Sequence, residues 1–133
     1  MRSVLEFSAV VYHSLLNITQ TELLEKVQRR ALKTIYGYDK NYDQLLQEAG
    51  IERLQKRRED ALLRFAQKTS KNPKYASWFP LKQATRQTRH TTPYLEEFAR
   101  GNRLYNSPLF AMRRALNGSP ENEEMCLVGM FGE

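Results

Sequence analysis

The sequence has few of the residues from which metal centres and disulfide frameworks are built. It contains one cysteine, Cys126, and two histidines, His13 and His90. A single cysteine excludes an intramolecular disulfide and a zinc site made of paired cysteines, and neither histidine has a second ligand at metal-binding spacing. We therefore expect no metal and no cofactor. A reducing, intracellular location (nucleus or cytoplasm) is the default for such a chain, which we do not expect to be secreted.

A long uninterrupted apolar run is also missing. The longest apolar stretch, residues 3–16, is broken by Glu6 and His13, and it is shorter than the ~20 residues that a membrane span needs. No small-residue cleavage site follows it, as a signal peptide would require. We predict a buried helix over this stretch and no membrane contact. The alternative is a strand, because residues 10–12 favour strands.

The chain has no recognisable enzyme motif. It contains neither a glycine-rich phosphate-binding loop nor a nucleophile elbow around any serine. Its paired carboxylates, at positions 59–60, 96–97 and 123–124, are adjacent in sequence. Adjacent residues on a helix point in different directions, so these pairs are poor partners for one metal ion or one proton. We therefore expect a protein that is not an enzyme.

Apolar spacing and capping residues predict four to five helices, over residues 3–16, 19–37, 42–49, 52–70 and 107–118. In the second of these, Thr19 and Glu22 match a capping box. Asn41 and Gly50 are the expected cap and stop of the third. Ser107 and Pro108 are expected to open the last. We expect one buried apolar cluster, formed by Leu24, Val27, Ala31 and Ile35 with Val11, Leu15, Leu62 and Phe65.

The expected fold is all-α, a single small array of helices. We divide the chain into a four-helix core over residues 1–72, a basic, aromatic-containing loop region over 73–106, a C-terminal helix over 107–118 and a disordered acidic tail over 119–133. The loop region holds an aromatic group, Tyr75, Trp78 and Phe79. These rings either stack on nucleic-acid bases or anchor the loop to the core, and we favour the core.

Positive charge is concentrated in the second half of the chain. The formal net charge is +6, but residues 50–117 carry 15 Lys and Arg against 5 Asp and Glu, a net +10. Such an excess favours a phosphate backbone as partner. The candidate phosphate-contacting residues are Arg53, Lys56, Arg57, Arg58, Arg86 and Arg89. The alternative is a solvated helix face balanced by nearby carboxylates. For Arg29 and Arg30 we expect local ion pairing with Glu22 and Glu25.

Four segments follow one another in a recognisable order: RSVLEFSAVVYHSLLN at 2–17, LEKVQRRALKTIYG at 24–37, YDQLLQEAGIERLQKRREDALLRF at 42–65 and RLYNSPLFAMRRALN at 103–117. Together they resemble the C-terminal region, beyond palm and thumb, of reverse transcriptases from non-LTR (LINE-type, jockey-like) retrotransposons. Two positions depart from the usual pattern, with Phe7 in place of Tyr and Tyr12 in place of Trp. The aromatic-Ala-Asp-Asp palm motif of that family is absent.

The resemblance implies a detached C-terminal fragment of an RNA-directed DNA polymerase from a transposable element. Polymerisation needs two metal ions held by clustered carboxylates, which the chain does not supply. Our first hypothesis is therefore a non-catalytic segment whose basic face contacts RNA or DNA backbone without reading sequence. The second is a helical protein-interaction module, or an orphaned structural module with no activity of its own. A third, an independent enzyme, lacks any catalytic constellation. The oligomeric state is not predicted.

Overall fold

A computed structural model describes residues 5–83 and 92–118, and all regular secondary structure within these ranges is helical. The predicted all-α fold is thus confirmed. The α-helices are α1 (Ala9–Tyr12), α2 (Ile18–Tyr36), α3 (Tyr42–Ala49), α4 (Leu54–Ser70), α5 (Asn102–Tyr105) and α6 (Pro108–Asn117). Two 3-10 helices, His13–Leu15 and Pro73–Trp78, follow α1 and α4. The predicted tail, residues 119–133, lies outside the described residues.

The first apolar stretch does not form the continuous helix that we predicted. The chain turns at Phe7 and Ser8, and Ser8 adopts the left-handed conformation with φ of 53°. This conformation costs an L-residue other than glycine roughly 1–2 kcal/mol. The short helix α1 and the 3-10 turn His13–Leu15 follow, so the alternative strand does not form either. No helix in the described ranges is long and apolar enough to cross a membrane.

Helix α2 begins at Ile18 with Asn17 as its cap, two residues before the predicted cap at Thr19. The Asn17 side chain accepts a hydrogen bond from the Gln20 amide at 2.9 Å, and the Gln20 side chain accepts one from the Asn17 amide at 3.1 Å. The predicted cap at Thr19 is therefore wrong. Two overlapping capping-box patterns occur here, and the first of them forms because asparagine caps a helix at least as well as threonine.

The buried face of α2 is also rotated from the predicted stripe. Gln28 and Leu32 are buried, whereas Val27 and Ile35 are exposed, with 71% of Ile35 accessible to solvent. Of the other residues predicted to be buried, Leu62 is buried, Leu24 and Ala31 are half-buried, and the remainder are exposed: Val11, Leu15 and Phe65. The helix turns a polar residue inward, which an analysis of apolar spacing alone does not anticipate.

Helix α3 has the predicted bounds, cap and stop. Asn41 forms a reciprocal capping box with Gln44, and Gly50 ends the helix in the left-handed conformation with φ of 61°. The side of α3 that faces inward joins a core cluster formed by Leu32, Tyr42, Leu45 and Leu46, against which Ala49 and Ile51 pack. Helices α4 and α6 also lie where the sequence predicts them.

The chain divides into two compact units, Met1–Ala61 and Leu62–Glu133. The boundary falls within α4, whereas the predicted segments divide at residue 72. In the second unit the buried apolar residues are Leu62, Ala66, Phe79, Ala111, Met112 and Leu116. An isolated antiparallel bridge joins Leu81 to Tyr94 there, and the Asn117 side chain bonds to both the amide and the carbonyl of Tyr94. These contacts order much of the region predicted to be a loop.

Candidate nucleic-acid interface

The predicted phosphate-contacting residues at the start of α4 are exposed but already paired. Arg53 bonds to Asp43 over 2.8 Å, and Lys56 bonds to Glu52 over 2.9 Å. Hydrogen bonding to these carboxylates raises the pKa of Arg53 and the pKa of Lys56 above their ordinary values. Each pair offers a phosphate little net charge. A phosphate role for Arg53 and Lys56 remains a prediction.

Arg57 is held inside the first unit. One of its terminal nitrogens lies 2.9 Å from a Glu6 carboxylate oxygen and donates a hydrogen bond to the Gln28 side-chain oxygen over 2.5 Å. Gln28 in turn donates to the Tyr42 hydroxyl at 3.1 Å, and that hydroxyl donates to Glu25. The Arg57 side chain is only 10% exposed. This burial argues against the phosphate contact predicted for Arg57, because its guanidinium joins a polar network in the interior.

Arg58 has no solvent-exposed surface at all. Its three guanidinium nitrogens have no hydrogen-bond partner among the residues that the structure describes. Burial and the nearby Arg58 charge lower the pKa of the His13 imidazole below its ordinary value. A side chain in this position does not reach an external phosphate, so the predicted role of Arg58 is also corrected. Arg86 and Arg89, the other two predicted contacts, lie outside the described residues.

The geometry of a helix explains why the densest basic run does not form one surface. Consecutive residues are turned by about 100° around the helix axis, so residues 56, 57 and 58 point in three directions. Only Lys56 faces the solvent; Arg57 and Arg58 point inward. Their aliphatic stems contribute apolar area to the interior. A dense run of cations in the sequence therefore does not produce a dense patch of positive charge on the surface here.

A second set of cations, which the prediction did not select, does share one surface. Arg64 and Lys68 on α4 and Lys71 just after it follow the i, i+4, i+7 spacing of one helix face. With Lys74 they form what we call the basic stripe, and all four are exposed. None of them is ion-paired within the described part of the chain. Residues 61–95 contain seven Lys and Arg and no Asp or Glu, the signal that could have identified this surface.

The basic stripe leads into two neighbouring aromatic rings, which are tilted by 44° relative to each other. Asn72 caps the 3-10 helix Pro73–Trp78 by accepting a hydrogen bond from the Lys74 amide at 3.0 Å. The Lys74 ammonium lies 5.6 Å from the centre of the Tyr75 ring. The rings of Tyr75 and Trp78, which we call the aromatic pair, are 4.7 Å apart at their centres. Stripe and pair thus form a continuous stretch of cationic and aromatic side chains.

The aromatic residues of this region divide between core and surface. Phe79 is buried and packs edge-on against Tyr94, with ring centres 6.1 Å apart. Trp78 remains 44% exposed, and Tyr75 is half-buried. The predicted core position is therefore confirmed for Phe79 and wrong for Trp78. Burial of one ring beside exposure of the next follows from their adjacency on a tight helical turn.

Another group of cations surrounds a cavity of about 220 Å³ in the first unit, lined by Arg29, Lys33, Lys40, Asn41, Tyr42, Asp43 and Arg53. Lys40 is paired with Glu48 over 2.6 Å and Arg53 with Asp43. Arg29 lies over the Tyr42 ring, 4.7 Å from its centre. The expected pairing of Arg29 with Glu25 is wrong, because the Glu25 carboxylate instead accepts from the Tyr42 hydroxyl and the Leu54 amide. Pairing neutralises much of this cavity, unlike the basic stripe.

The described residues contain no group of three or more His, Cys, Asp or Glu that could hold a metal ion. Comparison with protein-family models, with curated protein sequences and with solved structures gives no significant match to this chain.

Proposed function

We propose that this chain is a non-catalytic segment that contacts nucleic acid through its phosphate backbone, similar to the C-terminal region of non-LTR retrotransposon reverse transcriptases. The observation that carries this proposal is the basic stripe: four exposed cations, three of them at the spacing of one helix face, with no ion pair to any described residue and in a stretch without acidic residues. Such a surface attracts polyanions, and the attraction does not depend on base sequence. The quoted sequence segments support the likeness to the reverse transcriptase region.

The spacing of the basic stripe suits a phosphate backbone. Seven residues of α-helix rise about 10 Å, which covers about three charge spacings of a nucleic-acid strand. The stripe also lies at the C-terminal end of α4, where the helix dipole favours cations. The dipole accounts for placing cations in the last turn. It does not account for the absence of acidic residues throughout 61–95.

A titration against salt tests the proposal. Binding of a labelled oligonucleotide, followed by fluorescence anisotropy, is expected to weaken steeply as salt rises. In a plot of log K against log salt concentration, each phosphate contact should contribute about 0.7–0.9 to the negative slope. The variant Arg64→Gln/Lys68→Gln/Lys71→Gln should bind more weakly, and its salt slope should be smaller by the contribution of about three phosphate contacts. The comparison variant is Arg53→Gln/Lys56→Gln, whose cations are already paired with Asp43 and Glu52, so this variant should reduce the salt slope less than the triple variant does. Unchanged affinity and slope in the triple variant would refute the proposal.

A nucleotide-incorporation assay tests the proposal that the chain is not catalytic. With Mg²⁺, nucleotides and a primed template, the purified chain should incorporate no nucleotide. Incorporation by a preparation free of contaminating polymerase would mean that the chain gathers carboxylates around metal ions.

The alternative, a protein-interaction module, is favoured by the exposed apolar side chains of α2: Ile18, Leu23, Val27 and Ile35. Exposed apolar surface of this kind typically marks a contact with another protein surface. The salt titration separates the two functions, because apolar association does not weaken as salt is added. Salt-insensitive association with the basic stripe uninvolved would favour the alternative.

A further inference from the structure

We infer that the indole of Trp78 stacks on a nucleic-acid base, so that the chain binds single strands in preference to duplexes. This inference rests on the proposed function and names the form of nucleic acid that the same surface takes. The juxtaposition that supports it is the exposed indole of Trp78, packed against the half-buried Tyr75 ring, at the end of a basic stripe with no ion pair to any described residue. Proteins that bind single strands without sequence preference combine these two features, a cationic track and aromatic rings.

Trp78 leaves 44% of its surface accessible to a ligand. Tryptophan is a large apolar side chain, and burial of its area normally stabilises a fold. Phe79, the next residue, does take a place in the core. The fold thus has an inward position for an aromatic ring at this turn, and Phe79 takes it while Trp78 stays partly exposed beside Tyr75.

Trp78 is also held in place before any ligand arrives. Its carbonyl oxygen accepts a hydrogen bond from Arg113 Nε at 2.8 Å, and Arg113 is itself buried on α6. One side of the turn is fixed by Phe79 in the core, and the Tyr75 ring lies against the indole. A ring fixed in this way loses little conformational freedom on binding, so less of the stacking energy is offset by ordering.

The charges around the aromatic pair specify what binds there. Lys71 and Lys74 precede Tyr75 in the chain, and the Lys74 ammonium lies over the Tyr75 ring. A polyanion that also carries flat rings complements this arrangement. In a duplex the bases are stacked on one another and their faces are closed, whereas in a single strand a base is free to turn out onto a side chain. The occupant is therefore a single strand, of RNA or DNA.

The experiment uses the fact that Trp78 is the only tryptophan of the 133-residue chain. The full chain is titrated with a thymidine oligonucleotide and with a mixed-sequence duplex of equal length at the same low salt, and indole fluorescence is recorded. We expect quenching by the single strand and little change with the duplex. From the usual contribution of one stacked base, the single strand should bind about tenfold tighter or more.

Variants are compared by anisotropy of a labelled oligonucleotide, with circular dichroism as the check on folding. Trp78→Ala should bring single-strand and duplex affinities close together while the salt slope stays unchanged. Trp78→Phe should keep most of the preference, since a ring remains. Phe98→Ala is the matched control: Phe98 is 88% exposed and makes no aromatic pair with another ring among the described residues, so its loss should leave the preference unchanged.

The outcomes distinguish this inference from the function on which it rests. Salt-dependent binding of both forms with equal affinity and no quenching would overturn the stacking inference and leave the phosphate contact standing. No salt-dependent binding of either form would overturn both. If Trp78→Ala does not fold, the unaltered chain provides the test. Acrylamide quenching of the indole is measured with and without the single strand, and a single strand that binds without protecting the indole from acrylamide refutes stacking.

Discussion

The buried guanidinium of Arg113 donates a hydrogen bond from Nε to the backbone carbonyl oxygen of Trp78, over 2.8 Å. The two residues are 35 positions apart, and the contact ties α6 to the 3-10 helix after α4. A second nitrogen of Arg113 lies 3.6 Å from a Glu97 oxygen. A cation that looks, from sequence, like part of the basic surface is in fact a structural support for the exposed indole.

Replacing Arg113 should loosen the turn that carries Trp78. Arg113→Met keeps the apolar stem of the side chain and removes the hydrogen bond, and we expect a loss of about 1–2 kcal/mol in the free energy of unfolding. Urea denaturation measures this loss. Time-resolved anisotropy of the indole should show faster local motion. Arg103→Met, on an exposed arginine of the same unit, is the control, and equal behaviour of the two variants would contradict the support role.

The cap of α2 gives a prediction with a built-in control. Asn17→Ala removes the side-chain acceptor of the Gln20 amide and should cost about 0.5–2 kcal/mol in the free energy of unfolding. Thr19→Ala, two residues later, removes no cap and should cost only a few tenths, within the usual range for surface changes. Thermal denaturation of both variants tests the assignment. A larger loss at Thr19 would restore the cap that the sequence pattern suggested.

Helices α3 and α2 show which parts of the fold could be predicted from the sequence. Local signals were sufficient for α3, because Asn41 and Gly50 act on the residues beside them. They were insufficient for the buried face of α2, because Gln28 is turned inward by partners distant in sequence, Tyr42 and Arg57. The pattern of apolar residues carries no information about such a polar network.

The candidate site shows the same division. The charge excess after residue 50 includes the basic stripe, but the choice of candidate residues followed the densest run of Lys and Arg. Of that run, Arg58 is fully buried and the Arg57 side chain is only 10% exposed. Helical spacing and distance from acidic residues would have pointed to Arg64, Lys68 and Lys71. A surface is formed by residues three and four apart, so consecutive cations are a poor guide to it.

Arg57 and Lys56 are adjacent in sequence, and their variants should separate stability from binding. Arg57→Gln removes the guanidinium that contacts Glu6 and donates to Gln28, and we expect it to lower the free energy of unfolding by about 1–3 kcal/mol. Lys56→Gln removes an exposed ion pair, which typically contributes about 0–1 kcal/mol. Denaturation and oligonucleotide titration are run on both. If Arg57→Gln kept full stability and reduced the salt slope instead, Arg57 would be a phosphate contact after all.

The Tyr42 hydroxyl predicts how stability depends on alkaline pH. Burial and the hydrogen bond to Glu25 raise the pKa of Tyr42 from 10.0 to about 12. The folded state thus favours the neutral hydroxyl more strongly than the unfolded state does. The stabilisation is fully present below pH 10, and it is lost as the pH rises towards about 12.

Tyr42→Phe removes the hydroxyl and is the reference for this effect. At pH 7 the variant should be less stable by about 1–3 kcal/mol, because Glu25 and Gln28 lose a buried partner. Between pH 10 and 12 the difference between the two proteins should shrink, since only the unaltered chain has a hydroxyl to ionise. Urea denaturation at several pH values measures the difference, and a constant gap across this range would mean that the Tyr42 hydroxyl ionises as freely in the folded chain as in the unfolded one.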